Sequence, residues 1–381
     1  MPPERHSPTV IDITVNELEA VSARALHSLG LTDADAQTVL RVLMYGQLRG
    51  SSQGLIKIAE RTVVPASDAT PIQENQVLPA LVHIQANGNA GMVVLSHACK
   101  TLIKLTPKMG IAAASTVGTA SSTGAIGFYA RELANAGLIG LVMAGSPKST
   151  ALYGGTDPII GTNPIALAMP RSGEPLTIDF ASAATTVFDL IAARETSASI
   201  APDLAYDAKG QPTTDPGAAL SGGAIKTFGD AKGSALGLMI ELLTGVLSGA
   251  SLPGESNDSR GNLLVAIDPA ATIGAQTLHQ RVEQVVDHIA QSRSIDPGAP
   301  VRIPGSGSAS RARQAQASGL TSIDAGLWHK QGSEHRLSLS ERVKPVTARF
   351  EGAGHDIPGT TPHIVGKTPI RIFNSWQVLR H

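Results

Sequence analysis

The stretch Gly161-Thr-Asn-Pro-Ile-Ala-Leu-Ala-Met-Pro-Arg-Ser-Gly-Glu-Pro-Leu-Thr-Ile-Asp-Phe-Ala-Ser182 decides how the chain is read. Two apolar runs, Ile165–Met169 and Leu176–Phe180, flank the turn-forming Pro170-Arg-Ser-Gly-Glu-Pro175, which predicts two strands joined by a turn or hairpin. Outward from this pair, strand and helix signals alternate. Leu81–Ile84, Ile111–Val117, Leu138–Met143 and Leu263–Ile267 read as strands, and Met92–Ile103, Ala125–Asn135, Ser234–Leu247 and Gln276–Ile289 as helices. The expected class is α/β or α+β.

The first sixty residues read as helical. Leu18, Val21, Ala25 and Leu29 share one helix face, and Gly30 is placed to end that helix in a left-handed cap. Thr32 with Asp35 resembles a capping box opening a second helix, whose inner face is Ala36, Val39, Leu40 and Leu43. Residues 65–79 are polar and read as an irregular boundary, and residues 304–313 are rich in Gly, Ser and Arg. Ile370, Ile372 and Trp376 hint at a terminal strand.

Composition excludes several function classes. The 381 residues, 42% hydrophobic and 16% charged, describe a folded protein of about two domains. Thirty basic residues against thirty-one acidic ones leave a net charge of −1, unlike a polyanion binder, and twelve aromatic residues give little material for stacking bases. No nucleic-acid partner is expected. Cys99 is the only cysteine, which excludes an internal disulfide or Cys-based zinc site, and its apolar helix face points to core packing. Residues 235–250 come closest to a membrane span but contain Glu241 and glycines, and the first residues contain no apolar signal segment. A cytoplasmic protein without a membrane partner is expected.

The common catalytic signatures are missing. There is no G-x-G-x-x-G, G-x-S-x-G or H-E-x-x-H. Gly366-Lys367-Thr368 fails as a P-loop because Thr361 stands where its first glycine belongs and Pro369 follows. Eleven scattered histidines include no pair at i, i+4, so no metal site is expected.

Six longer segments, in order, carry a resemblance. They are Leu48-Arg-Gly-Ser-Ser-Gln-Gly54, Gly124-Ala-Ile-Gly-Phe-Tyr-Ala130, Gly161-Thr-Asn-Pro-Ile-Ala166, Asp179-Phe-Ala-Ser182, Pro212-Thr-Thr-Asp-Pro216, and Phe228-Gly-Asp-Ala-Lys-Gly-Ser234 followed by Glu241-Leu-Leu. Together they resemble the malate/L-lactate dehydrogenase family of the non-Rossmann type, which includes ureidoglycolate, sulfolactate and diketogulonate oxidoreductases and Δ1-piperideine/pyrroline-2-carboxylate reductases. The likeness covers about residues 10–330. It implies a helical domain (1–75 with about 292–335), a larger mixed-sheet NAD(P)-binding domain (76–291) and a C-terminal extension (336–381) beyond the family pattern. It also implies a homodimer that binds NADPH or NADH without a GxGxxG loop.

Carried over residue by residue, the resemblance places the cofactor along Gly161, Thr162 and Asn163, along Asp179, Phe180, Ala181 and Ser182, at Lys232 and Gly233, and at the Pro304-Gly305 turn. Glycine turns let backbone N–H groups approach phosphate, and Lys232 adds a point charge. A plain turn at Gly161–Pro164 and a strand-end cap at Asp179 are the structural alternatives.

Departures concentrate where chemistry is expected. The family's R-G-x-x-S-H-G histidine, taken as a general acid, is Gln53 here, and a second histidine, in N-x-x-H-x-G, aligns with Ser122. Asp230-Ala231 replaces the usual Gly-His, and a position often Lys or Gly falls on Phe188-Asp189. Neither Gln53 nor Ser122 supplies a proton readily at neutral pH, and loss of a general acid removes a factor of about 10²–10⁴. A cyclic imine, already protonated near neutral pH, avoids that requirement. The expectation is therefore an NAD(P)H-dependent reductase of a small cyclic imine or a 2-oxo/imino acid. Arg49 would clamp the carboxylate, Asp230 or Asp189 would hold the cation, and Lys148 is a further candidate carboxylate ligand. The alternative is a scaffold turned to non-redox chemistry, or a catalytically silent member.

Overall fold

In chain order the elements are β1 (Val10–Thr14), α1 (Val15–Ser28), α2 (Asp33–Leu48), α3 (Ile56–Ala59), β2 (Gln73–Leu78), β3 (Leu81–Gln85), α4 (Gly91–Met109), β4 (Ile111–Thr119), α5 (Gly127–Asn135), β5 (Ile139–Ala144) and β6 (Thr150–Ala151). Then come β7 (Pro164–Met169), β8 (Leu176–Ala181), α6 (Val187–Glu195), β9 (Ala205–Tyr206), β10 (Pro212–Thr213), α7 (Pro216–Leu220), β11 (Ala224–Lys226), α8 (Ala231–Glu241), β12 (Arg260–Ile267), α9 (Ala275–Ala290), α10 (Ser306–Ser318) and β13 (Leu320–Asp324). This computed structural model describes residues 10–326 and 328, apart from 253, 254, 256–258 and 297, and the described residues belong to one compact unit. The extension expected over 336–381, with its hinted strand at Ile370–Trp376, lies outside the described residues.

Seven strands form the main sheet in the order β2-β3-β4-β12-β5-β7-β8. Only β3 and β4 pair in parallel; the other neighbours are antiparallel. The hairpin expected at residues 165–180 is β7–β8, with Ala166 opposite Asp179 and Leu167 opposite Ile178, and it leaves β8 at the sheet edge. Latest of these strands in the chain, β12 lies at the centre, Leu264 facing Ala114 of β4 and Val142 of β5. A smaller sheet, β10-β9-β11-β6, stands beside it.

The helical layer is fused to this sheet. Leu18 and Leu26 of α1, Val39 and Leu43 of α2, Val82 of β3, Leu95 and Leu102 of α4 and Leu264 of β12 belong to one buried cluster. Thr14 and Thr32 cap α1 and α2 by accepting from Glu17 N and Asp35 N, as the Thr32/Asp35 spacing suggests for the second helix. Cys99 is buried in this core, and burial pushes its thiol pKa well up.

Three sequence readings need correction. Residues 73–78, read as irregular, are β2: exposed, and polar over its first four residues, this segment becomes a strand because β3 supplies its backbone partners. The first sixty residues are not wholly helical, since β1 pairs antiparallel with β13, Val10 opposite Asp324. The single helix expected over 234–247 starts at Ala231 and passes into a π-helical turn at Leu242–Val246. Among the described residues no helix is long and apolar enough to cross a membrane.

Leu264 is fully buried at the middle of the central strand. Leu264→Ala is expected to lower the unfolding free energy by about 2–5 kcal/mol, measured by urea denaturation.

Candidate active site

The last turn of α2 and the segment after it fold back tightly. A side chain at Gly46 would meet the Gln53 carbonyl at 3.0 Å, and one at Gly54 would meet Gln47 Oε1 at 2.7 Å. Gln47 Oε1 also accepts from Leu55 N (3.3 Å). This packing drives the short helix α3 inward, and with it Lys57, which is fully buried. Lys57 Nζ donates to Ser122 Oγ at 2.8 Å and lies 3.3 Å from the centroid of the Phe188 ring. Burial pushes the Lys57 pKa well down, and no charged group contributes to the shift.

Phe188 is placed by the start of α6. Thr186 and Asp189 form a capping box: Thr186 Oγ1 accepts from Asp189 N (3.1 Å), and Asp189 Oδ2 accepts from Thr186 N (3.1 Å). Ser52 Oγ lies 3.3 Å from Thr186 Oγ1, which ties the 49–54 turn to the same helix end. Lys57, Ser122 and Phe188 therefore meet, with Ser52 tied to the same helix end, and Gln53 lies half-buried beside Ser52 in the turn. Asp189 follows Phe188, but its carboxylate is turned to its own helix end. Reading for signatures missed Lys57; its one signal was a lone cation in the apolar run Leu55-Ile-Lys-Ile-Ala59.

Arg49 faces elsewhere. Its Nη2 pairs with Glu174 Oε1 (2.8 Å), and its guanidinium lies 3.8 Å from the Tyr45 ring centroid. Glu174 also takes Arg313 (2.8 Å) and lies 3.7 Å from Arg131. The fork is thus engaged in an internal tie between the end of α2, the β7–β8 turn and α10.

The residues expected along the cofactor meet at a second junction. Thr162 O accepts from both Ser182 N and Ser182 Oγ (3.0 Å each). Asn163, buried with φ 38°, donates through Nδ2 to Gly237 O (3.1 Å) and to Glu241 Oε2 (2.7 Å). Ser182 O in turn accepts from Phe228 N (3.1 Å), and the Phe180 and Phe228 rings meet edge to face at 5.9 Å. Several glycines here mark close packing: a side chain at Gly233 would strike the Phe228 carbonyl, one at Gly161 the Ser146 carbonyl, and one at Gly305 the Thr177 carbonyl on the β8 edge. Ala181 ends β8 and Pro304 is exposed beside Gly305.

Asp179, on β8, accepts from Gly127 N (2.8 Å) at the start of α5, where helix polarity favours a negative group. Protein packed around the carboxyl raises its pKa, to about 6, against the lowering effect of that N–H; the open side of the residue lets water moderate the rise. Asp230, at φ 54°, and Lys232 are exposed at the start of α8. Lys148 is exposed at a cavity of about 340 Å³ that Gly161, Glu241 and Arg260 also line. Gln53, Lys57 and Ser122 do not line it, so the cavity belongs to the second junction. Among the described residues no cluster of His, Cys, Asp and Glu is arranged to hold a metal ion.

Comparison with known proteins agrees with this architecture. A family profile described as malate/L-lactate dehydrogenase matches residues 13–330. A Δ1-pyrroline-2-carboxylate reductase from Burkholderia multivorans is 34% identical over 280 residues, 69% of this chain and 81% of that protein. A (2R)-3-sulfolactate dehydrogenase (NADP(+)) from Chromohalobacter salexigens is 31% identical over 274 residues, 68% of this chain and 81% of that protein. The crystal structure of a dehydrogenase from Sinorhizobium meliloti matches with a TM-score of 0.78 at 29% identity, over 86% of this chain and 98% of that one. The chain belongs to the malate/L-lactate dehydrogenase family, a family of oxidoreductases, and has its mixed α/β fold.

Lys57 also makes stability depend on pH. Its folded pKa lies below the unfolded value, so the unfolded chain binds more protons between the two and stability rises with pH across that window. Lys57→Met removes this dependence. The variant is expected to be more stable than wild type at neutral pH, with the gap closing towards about pH 10, as read from urea melts across that range.

Proposed function

We propose that the chain is an NAD(P)H-dependent reductase of a small cyclic imine carboxylate. The observation that carries this reading is that the two positions where the resemblance places histidines hold Gln53 and Ser122, that Ser122 accepts from Lys57, and that no imidazole of the described residues stands there. The described histidines lie elsewhere: His27 beside Asp33, His83 on Ser115, His97 on Glu74, and His279 and His288 on α9. A cyclic imine nitrogen is far more basic than a carbonyl oxygen, so a weaker acid than imidazole suffices to protonate it, which favours it over a 2-oxo acid. The 34% identical relative named for pyrroline-2-carboxylate, a cyclic imine, supports the same choice.

The residues present fit an anionic dinucleotide. Lys148 and Lys232 are exposed, and neither pairs with a carboxylate among the described residues. Lys232 stands in the first turn of α8, where Asp230 provides no side-chain cap. Asp179, Phe180, Ala181 and the Pro304-Gly305 turn follow one edge strand, while Asn163 and Ser182 hold the framework behind it. NADPH or NADH, when bound, supplies the hydride.

A cytoplasmic homodimer completes the reading. Leu238, Met239, Leu242, Leu243, Val246 and Leu247 lie within ten residues of α8 and its π-helical extension, and every one is exposed. A contiguous apolar face of this kind marks a surface that another chain covers.

Titration with NADH and NADPH, followed by nicotinamide fluorescence, is expected to saturate with at least one of them. The loaded protein should then consume reduced nicotinamide with cyclic imine carboxylates faster than with 2-oxo acids. Absence of binding up to millimolar concentration would favour non-redox chemistry. For the assembly, light scattering should give twice the chain mass for wild type and the single-chain mass for Met239→Glu/Val246→Glu. A monomeric wild type would remove the dimer.

A further inference from the structure

We infer that Lys57 and Ser122 form a proton-delivery pair: the Ser122 hydroxyl gives its hydrogen to the reacting heteroatom of the substrate, and Lys57 Nζ replenishes it. The inference rests on the reductase reading and adds the source of the proton.

The hydrogen bonds at Ser122 set the direction of transfer. Its Oγ accepts from Lys57 Nζ at 2.8 Å and from Gly124 N at 3.2 Å. A hydroxyl oxygen has two lone pairs, so both are occupied and the remaining O–H hydrogen points away from them. Among the described residues nothing accepts that hydrogen, and Ser122 is only half-buried. The pair thus offers a donor at its open end and an ammonium behind it.

Lys57 is unusual as a packing residue. A buried ammonium without a carboxylate is unfavourable, and Leu or Met would fill the same volume more cheaply. Two opposed influences meet at it. Burial disfavours the charged form, whereas the face of Phe188 favours it. A partner carboxylate would hold the proton in place. Asp189, on the helix that carries Phe188, is engaged in its own capping box. The loop that carries Ser122 meets Lys57 through the Ser122 hydroxyl, and no charged group adds to the Lys57 pKa shift.

The step balances. Hydride from the reduced nicotinamide forms the new C–H bond, the C=N or C=O π pair moves to the heteroatom, and that atom takes the Ser122 proton. Ser122 regains a proton from Lys57, and once product has left, a proton from solvent returns to Lys57 through the half-buried Ser122 hydroxyl. For an imine, the same transfer can instead precede hydride arrival and generate the iminium in place. Lys57 acts through Ser122 and must be protonated, so turnover falls as pH rises through its folded pKa.

The test uses the full chain. In cofactor-free protein carrying isotope-labelled lysine, the nuclear magnetic resonance signal missing from Lys57→Met should titrate well below an ordinary lysine. The alkaline limb of kcat/KM for a cyclic imine carboxylate should fall at that same pH. Ser122→Ala and Lys57→Met should each lower kcat by about 10²–10⁴-fold with unchanged cofactor affinity, and the double variant should be no slower than either. Lys57→Arg keeps a cation but holds its proton, and is expected to be as slow as Lys57→Met. An ordinary lysine titration overturns the pair. So does wild-type rate and pH profile in Lys57→Met, which leaves the reductase reading standing. A wild type that binds cofactor but reduces neither imine nor oxo acid overturns both.

Discussion

The position of β12 governs the rest of the fold. It runs antiparallel to both β4 and β5, so those two strands are parallel to each other and separated by one strand width. That gap is filled only by residues 260–267, more than a hundred positions after β5 ends. The chain between first extends the sheet outward through β7 and β8, then leaves it and returns to the slot beside β4. Between β5 and β12 lie the β7–β8 hairpin, whose turn reaches Arg49 through Glu174, and α6, whose start meets Lys57 and Ser52.

Close backbone approach keeps the excursion in place. Gly233 lets α8 lie on the Phe228 carbonyl, and Gly237 lets it lie on Ser182, whose Oγ a side chain there would meet at 2.9 Å. Gly305 brings the turn before α10 onto the β8 edge, and Gly161 brings the start of β7 against Ser146. These glycines sit inside segments that also read as phosphate turns. The structure gives them a packing role, leaving Lys148 and Lys232 as the exposed cationic groups of that region.

How far the sequence could be read follows from the range of the interactions. Local signals sufficed for the β7–β8 hairpin, the Thr32 cap and the long amphipathic helices, because turn residues and periodicity are written within a few positions. β2 was invisible: its six residues are exposed, the first four are polar, and only β3 makes them a strand. The pairing of Val10 with Asp324 spans almost the whole described chain and has no local signature. Arg49 could be a carboxylate clamp or a helix-end tie on sequence grounds; Glu174, 125 positions away, takes up its fork. Lys57 escaped notice because it belongs to no signature and its meaning lies in burial.

A buried lysine and a hydroxyl acting in place of an imidazole would change what the fold has to supply. Histidine titrates near neutral pH in an ordinary environment, so a histidine acid needs only position. A lysine in water holds its proton to about pH 10.4 and is a poor donor at neutrality. It becomes useful only when taken out of water and away from carboxylates, as Lys57 is by its full burial and the Phe188 ring. A hydroxyl must then bridge outward, because a group buried enough to have a depressed pKa is too buried to touch substrate. Ser122 at 2.8 Å satisfies that geometric demand, and the tight turn that drives α3 inward satisfies the electrostatic one. The absence of histidine at both positions is thus compatible with retained proton transfer, provided burial of Lys57 survives.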